Sequence, residues 1–207
     1  MEKQAIGIMG GTFDPIHYGH LVTAEAARVA FNLKKVFFVP SGRPPHKEGQ
    51  TVSSKEARFL MTVLAVTSNN DFTVSRIEID RPGKSYAYDT VRYFKESYPD
   101  NDIYFITGAD AIKEILNWHK VNKLLDYCYF VAATRPGYDL EDLKARELSV
   151  LPEEKLAKIF TIEVPAMAIS SSDIKKRVQN KDPIKYLLPE NVEAYILKES
   201  LYVDSES

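Results

Sequence analysis

One cysteine in 207 residues excludes an intramolecular disulfide and suits a reducing compartment. That residue, Cys128, stands in the apolar run Tyr127-Cys128-Tyr129-Phe130-Val131, which predicts a small buried hydrophobe in a strand. Charge of one sign is not in excess either. Lys and Arg number 27 against 29 Asp and Glu, a net of −2, so the broad basic face that nucleic acid requires is missing. No stretch approaches the ~18 consecutive apolar residues of a membrane helix. Glu2-Lys3-Gln4 leads into a short strand-like run rather than a signal peptide. The expectation is a soluble cytoplasmic protein with neither nucleic-acid nor membrane partners. Histidine is scarce too, at four residues. His46 and His119 have no co-ligand cluster near them in sequence, and a lone cysteine cannot complete a tetrahedral site, so no protein-held metal is expected.

What is present fits one globular domain over residues 1–207. Apolar residues make up 44% and charged residues 27%. Short continuous apolar runs alternate with segments of helical period. Strands are predicted at Ala5–Met9, Val36–Val39, Ile103–Thr107, Tyr127–Ala133 and Ile159–Val164, with one or two more in Phe72–Ile79. Helices are predicted at Tyr18–Asn32, Ala87–Tyr98, Ser172–Gln179 and Pro189–Glu199. Another runs to about Thr67 behind a capping box, Ser53-Ser54-Lys55-Glu56. This pattern implies an α/β fold: a Rossmann-like, doubly wound parallel sheet covered on both faces. Ligands of such sheets sit at the carboxyl ends of the strands, where the strand order reverses.

The chemistry concentrates in the first twenty residues. After Ala5–Met9 come Gly10, Gly11, Thr12, Phe13 and Asp14, then a proline turn, then His17 and His20 at the start of a helix. Glycines let backbone approach a phosphate, and a helix N-terminus favours its charge. The bland reading is a tight strand-to-helix turn. Two histidines at i and i+3 share a helix face and add donors that can follow charge as it moves during a reaction. A second helix start, Ile169-Ser170-Ser171-Ser172-Asp173-Ile174-Lys175, offers N-cap hydroxyls and a cation one turn in. Its plain reading is helix capping, with Ser170 and Asp173 as a capping-box variant.

The segment Gly10–His20 resembles the signature of the His-x-Gly-His nucleotidyltransferases, and more narrowly that of the bacterial nicotinate mononucleotide adenylyltransferases. The resemblance implies that His17 and His20 bind ATP phosphates and stabilise charge as pyrophosphate leaves. It places Gly10, Gly11, Thr12, Phe13, Gly108, Asp110, Ile169, Ser170, Ser171, Ser172 and Lys175 around ATP. Lys175 and Ser172 stand where Arg and Thr are commoner. For the mononucleotide it implies Asp14, Lys47, Ser85, Ala87, Trp118, His119 and Arg135, with the Trp118 indole stacked on the pyridine ring. Ala87 replaces the usual threonine. Mg²⁺ is expected to arrive with ATP, held by phosphate and water.

Two other readings stay open. An adenylyltransferase for pantetheine phosphate shares the first signature, and a non-catalytic nucleotide sensor could use the same fold. A metal hydrolase built on His17 and His20 is a weaker third. Tyr186-Leu187-Leu188 and the aromatic C-terminal third could supply a homo-oligomer interface, and Tyr202–Ser207 is expected to be a frayed tail.

Overall fold

The computed structural model describes residues 4–47, 49–108, 114–134, 148–165 and 168–203. The chain runs β1 (Ala5–Gly11), α1 (Tyr18–Ala30), β2 (Leu33–Pro40), α2 (Lys55–Val66), β3 (Phe72–Val74), α3 (Ile77–Asp80) and α4 (Ala87–Ser97). It continues through β4 (Asp102–Gly108), α5 (Val121–Tyr127), β5 (Tyr129–Thr134), α6 (Glu153–Leu156), β6 (Ile159–Glu163), α7 (Ser171–Gln179) and α8 (Glu190–Lys198). The six strands form one parallel sheet in the order β3-β2-β1-β4-β5-β6. The expected doubly wound fold is therefore present, and the order reverses between β1 and β4.

Alternation along the central strands feeds two cores. Met9 and Phe38 face one side, with Ala24 and Ala27 of α1, Met61 and Ala65 of α2, Ile174 of α7 and Val192 and Ile196 of α8. Ile6 and Ile8 face the other, with Val91 and Phe94 of α4 and Leu124 and Leu125 of α5. Burial of side chains of this size stabilises by roughly 1.5–3 kcal/mol each. With both faces covered, ligands can enter only at a strand end.

Several boundaries differ from the sequence reading for local reasons. The run Phe72–Ile79 is a strand only to Val74. Beyond it, Ile77–Asp80 closes one helical turn. The α2 cap is Ser54, whose Oγ accepts the Ala57 N–H at 3.2 Å. Glu56 therefore lies one position too early to close a capping box, and pairs with Arg76 instead. Cys128 is buried as expected, but it caps α5 just ahead of β5. Leu188 belongs to the core, so only Tyr186, with half-buried Leu187, remains at the surface of that trio. Among the described residues no helix is long and apolar enough to cross a membrane.

Candidate active site

Two helix N-termini converge over the carboxyl end of β1. The turn between β1 and α1 has Phe13 at φ 50°, which folds its ring back under the strand. A Cβ on Gly11 would stand 2.7 Å from that ring, so this position has no room for a side chain. Phe13 is 2% exposed, and its ring meets that of His20 edge-on, with centroids 5.1 Å apart. The Phe13 side chain is thus a core prop beneath His20, which leaves only its backbone to face a ligand.

His17 caps α1 and is buried, whereas His20 is half-buried one turn on. Their rings lie 3.8 Å apart at 31°. The His17 backbone N–H donates to His20 Nδ1 at 3.2 Å. A neutral imidazole accepting at Nδ1 carries its proton on Nε2, so His20 is held as an Nε2–H donor. His17 Nδ1 is buried with no hydrogen-bond partner among the described residues. A Cβ on Gly19 would lie 3.0 Å from it, so glycine is what lets the imidazole pack against the backbone. A buried nitrogen left without any partner costs about 1–3 kcal/mol, so His17 Nδ1 is a site that a water or a ligand group can satisfy.

Burial pushes His17 down to about 4. Burial and the neighbouring His17 push His20 well below its ordinary value. Both rings are thus neutral at pH 7 without ligand. As pH falls below the unfolded value near 6.5, the unfolded chain takes up a proton that the folded site refuses. The folded state loses about 3 kcal/mol through His17 by pH 4, and the loss levels off within about one unit below that. Urea unfolding of wild type and His17→Gln between pH 7 and 4 should show this difference in slope. Equal slopes would contradict it.

The second N-terminus is that of α7. Ser170 caps it, its Oγ accepting the Asp173 N–H at 3.1 Å. The Asp173 carboxylate turns to Arg177 Nε at 2.9 Å, so it does not close a box. Ser171 Oγ donates to the Pro15 carbonyl at 2.8 Å, pinning α7 to the glycine turn. The Ile169 carbonyl lies 3.9 Å from where a Gly19 Cβ would be. Both helix dipoles therefore favour negative charge in one place. Ser172 is exposed at this helix start.

Lys175 Nζ donates to Asp14 Oδ2 at 2.6 Å, and the Tyr202 hydroxyl to Asp14 Oδ1 at 2.8 Å. Burial raises the Asp14 carboxyl, but hydrogen bonds from Lys175, Ser53 and Tyr202 outweigh it and hold the group below its ordinary value. Asp14 is 4% exposed with both oxygens engaged, and it tethers Lys175. The expected frayed tail is corrected in part. Tyr202 is tied to this carboxylate, and residues 204–207 lie outside the described residues.

Sequence reasoning missed Arg58. It is 1% exposed and donates to the carbonyls of Thr12 at 2.8 Å, Ser53 at 3.0 Å and Gly42 at 3.2 Å. The guanidinium joins the glycine turn to the loop after β2. A basic residue on the apolar face of an otherwise amphipathic helix was the available signal.

A cavity of about 760 Å³ opens beside the glycine turn, across the ends of β1 and β4. Gly10, Gly11 and Thr12 line one wall, and Ser85, Tyr86 and Ala87 at the start of α4 line another. Trp118 and His119 complete it. Trp118 is held edge-on by Phe105 and Phe130, with centroids 5.8 and 5.6 Å away. Ser85 Oγ accepts the N–H groups of Gly42 and Arg43 at 3.0 and 3.2 Å, which fastens the loop after β2 to this wall. Glu78 also lines the cavity and was not foreseen, because Ile77-Glu78-Ile79 read as strand. Burial raises its carboxyl, and Thr90 Oγ1 donates to it at 2.5 Å.

Lys47 lines a smaller adjoining cavity of about 340 Å³ with Arg43, Lys55 and Arg58. Gly108 ends β4 with open space where a side chain would be. Asp110 and Arg135 lie outside the described residues.

The cytidylyltransferase-like family matches residues 8–177. A Moorella thermoacetica protein named "probable nicotinate-nucleotide adenylyltransferase" is 61% identical over 198 residues, covering 95% of this chain and 91% of that protein. The chain belongs to the nicotinate-nucleotide adenylyltransferase family. A Thermoanaerobacter member bearing the same name is 53% identical over 100% of this chain and 98% of its own. The fold agrees with that of a Plasmodium falciparum nicotinic acid mononucleotide adenylyltransferase solved with NaAD. The TM-score is 0.75 at 22% identity, covering 96% of this chain and 97% of that one. Membership in the nicotinate-nucleotide family, rather than one for pantetheine phosphate, decides between the two enzyme readings left open by the first signature.

Proposed function

We propose that this protein transfers the adenylyl group of ATP to nicotinate mononucleotide, giving deamido-NAD and pyrophosphate, with His17 and His20 as the charge-stabilising pair. One observation carries the residue assignment: two neutral imidazoles, one with an orphan nitrogen, stand where the N-termini of α1 and α7 meet. The mononucleotide's phosphate oxygen forms the new bond to the α-phosphorus of ATP. The bond from that phosphorus to the bridging oxygen breaks, and its electrons leave on pyrophosphate. No protein nucleophile is required, so catalysis rests on placement and charge. His20 Nε2–H donates to the triphosphate as charge moves onto the leaving group, and Lys175 and the α7 N-terminus hold its outer phosphates.

The α4 N-terminus at Tyr86 and Ala87 opens on the cavity wall and offers backbone amides to the nicotinate carboxylate. The Trp118 indole, fixed by Phe105 and Phe130, offers the pyridine ring a surface to stack on. Lys47, in the adjoining basic cavity, meets phosphate from the other side.

Mg²⁺ fits this site as an ion carried in by ATP, shielding the phosphates through their own oxygens and water. Among the described residues no three His, Cys, Asp or Glu side chains cluster as a cation cage, and Asp14 is already engaged. The single buried Cys128 suits work in the reducing cytoplasm.

The test is pyrophosphate release with ATP and Mg²⁺ against nicotinate mononucleotide, nicotinamide mononucleotide and pantetheine phosphate. Release with the first and little with the others is expected, with backbone amides sufficing where Ala87 lacks a hydroxyl. Equal release with both pyridine nucleotides would overturn the carboxylate reading. Release only with pantetheine phosphate, or ATP binding with no release at all, would overturn the function.

A further inference from the structure

We propose that Tyr202, close to the end of the chain, is a positioning residue for ATP: its hydroxyl holds Asp14 so that Lys175 stays aimed at the triphosphate site with most of its charge free. The inference rests on the adenylyl-transfer reading and adds to it a residue nearly two hundred positions from the glycine turn.

The geometry is a three-member relay. Tyr202 OH lies 2.8 Å from one oxygen of Asp14, and Lys175 Nζ lies 2.6 Å from the other. The ammonium also sits 5.5 Å from the Tyr202 ring centre. Asp14 lies in the turn that leads to the histidines, and Lys175 lies one turn inside α7, whose first residue is pinned to Pro15. The relay therefore fixes a cation beside the convergence of the two helix N-termini.

Each member has a distinct physical job. A lysine side chain is long, and ordering it on binding costs rotamer freedom. Asp14 holds it in place beforehand, using one of three ammonium protons and leaving two for phosphate oxygens. A carboxylate given wholly to Lys175 would cancel its charge and compete with the triphosphate. The Tyr202 hydroxyl draws on the same carboxylate from the opposite oxygen and weakens that competition. Because the relay ends at Lys175, Tyr202 should affect the ATP side and leave the mononucleotide side alone.

The experiment measures kcat and both KM values for wild type, Tyr202→Phe, Lys175→Met and the double variant, with thermal unfolding of each. Tyr202→Phe removes one oxygen and keeps the ring against Lys175. It should raise KM for ATP about three- to tenfold and leave KM for nicotinate mononucleotide within about twofold. In the Lys175→Met background the same change should add less than about twofold, because its route to ATP is gone. A purely structural Tyr202 would lower the unfolding temperature without this selectivity or dependence. An unchanged KM for ATP, a parallel rise in both KM values, or an equal effect without Lys175 would each overturn the proposal. Should Tyr202→Phe fail to fold, Asp14→Asn must give the same ATP-selective rise, and its absence would overturn the proposal as well. Wild-type turnover separates the two levels: an inactive wild type refutes the adenylyl-transfer reading, whereas an active wild type with an indifferent Tyr202 refutes only this one.

Discussion

His20→Ala should lower kcat about 10²–10³-fold at saturating ATP and nicotinate mononucleotide, with a much smaller change in either KM. That is the range for losing one preorganised donor to a developing charge. The assignment of His20 to this role follows from its fixed tautomer. The His17 N–H occupies Nδ1, so Nε2 carries the proton, and the Phe13 ring packed edge-on holds the imidazole in place. A donor held this way needs little rearrangement as charge builds on the leaving group. The ring is neutral in the free protein because burial and its neighbour depress its protonation. In the proposed reaction its contribution would thus be a directed N–H rather than a full positive charge. His20→Gln, which keeps a polar side chain but shifts its donor, should recover only part of the loss. A fall of less than tenfold for a folded His20→Ala protein would remove His20 from the mechanism.

Arg58→Met should produce the second large effect, a loss of about 3–5 kcal/mol in unfolding free energy together with a rise in both KM values. The substitution nearly preserves volume but removes every donor, leaving the half-buried carbonyls of Thr12, Ser53 and Gly42 without their partner. Thr12 lines the cavity and belongs to the glycine turn, and Gly42 opens the loop that carries Lys47. Losing the clamp loosens both substrate ends at once, which distinguishes it from Tyr202→Phe. Denaturant unfolding gives the energy, and steady-state kinetics at low temperature give the KM values. A loss under about 1 kcal/mol, or a KM change on one side only, would show that the clamp does not join the two loops.

The sheet was readable from sequence because its strands are short apolar runs buried on both faces, and such runs leave little choice of partner. Ile6 and Ile8 feeding one core while Met9 feeds the other is the period-two pattern itself. The glycine turn and the helix start at the histidines were readable as local structure, because glycines follow the apolar run directly and the helical period begins just after His17. Local pattern failed where long-range partners decide a residue's task. Asp14 entered as a ligand contact only through the family resemblance, and nothing nearby in sequence showed what it holds. Its partners stand 161 and 188 positions away. Arg58 drew no notice in the sequence, because its acceptors are carbonyls of three separate segments. Glu78 was hidden by its flanking isoleucines, which mimic a strand although the chain turns into helix there. Phe13 was legible as part of a motif but not as a prop, because its inward direction comes from a positive φ that no pattern of residue types encodes.

The joining of Asp14 to Lys175 and Tyr202 also bears on how the protein is made. Translation delivers the glycine turn and both histidines well before Lys175 and Tyr202, which meet Asp14 in the folded protein. At ~5–20 residues per second, the 188 positions between Asp14 and Tyr202 take about 10–40 s to synthesise. For that interval the growing chain holds a histidine pair with no α7 beside it and an acidic side chain with no cation to meet. A ribosome-bound fragment that stops short of α7 thus lacks these two partners of Asp14, and their contacts can close only once Tyr202 has been added.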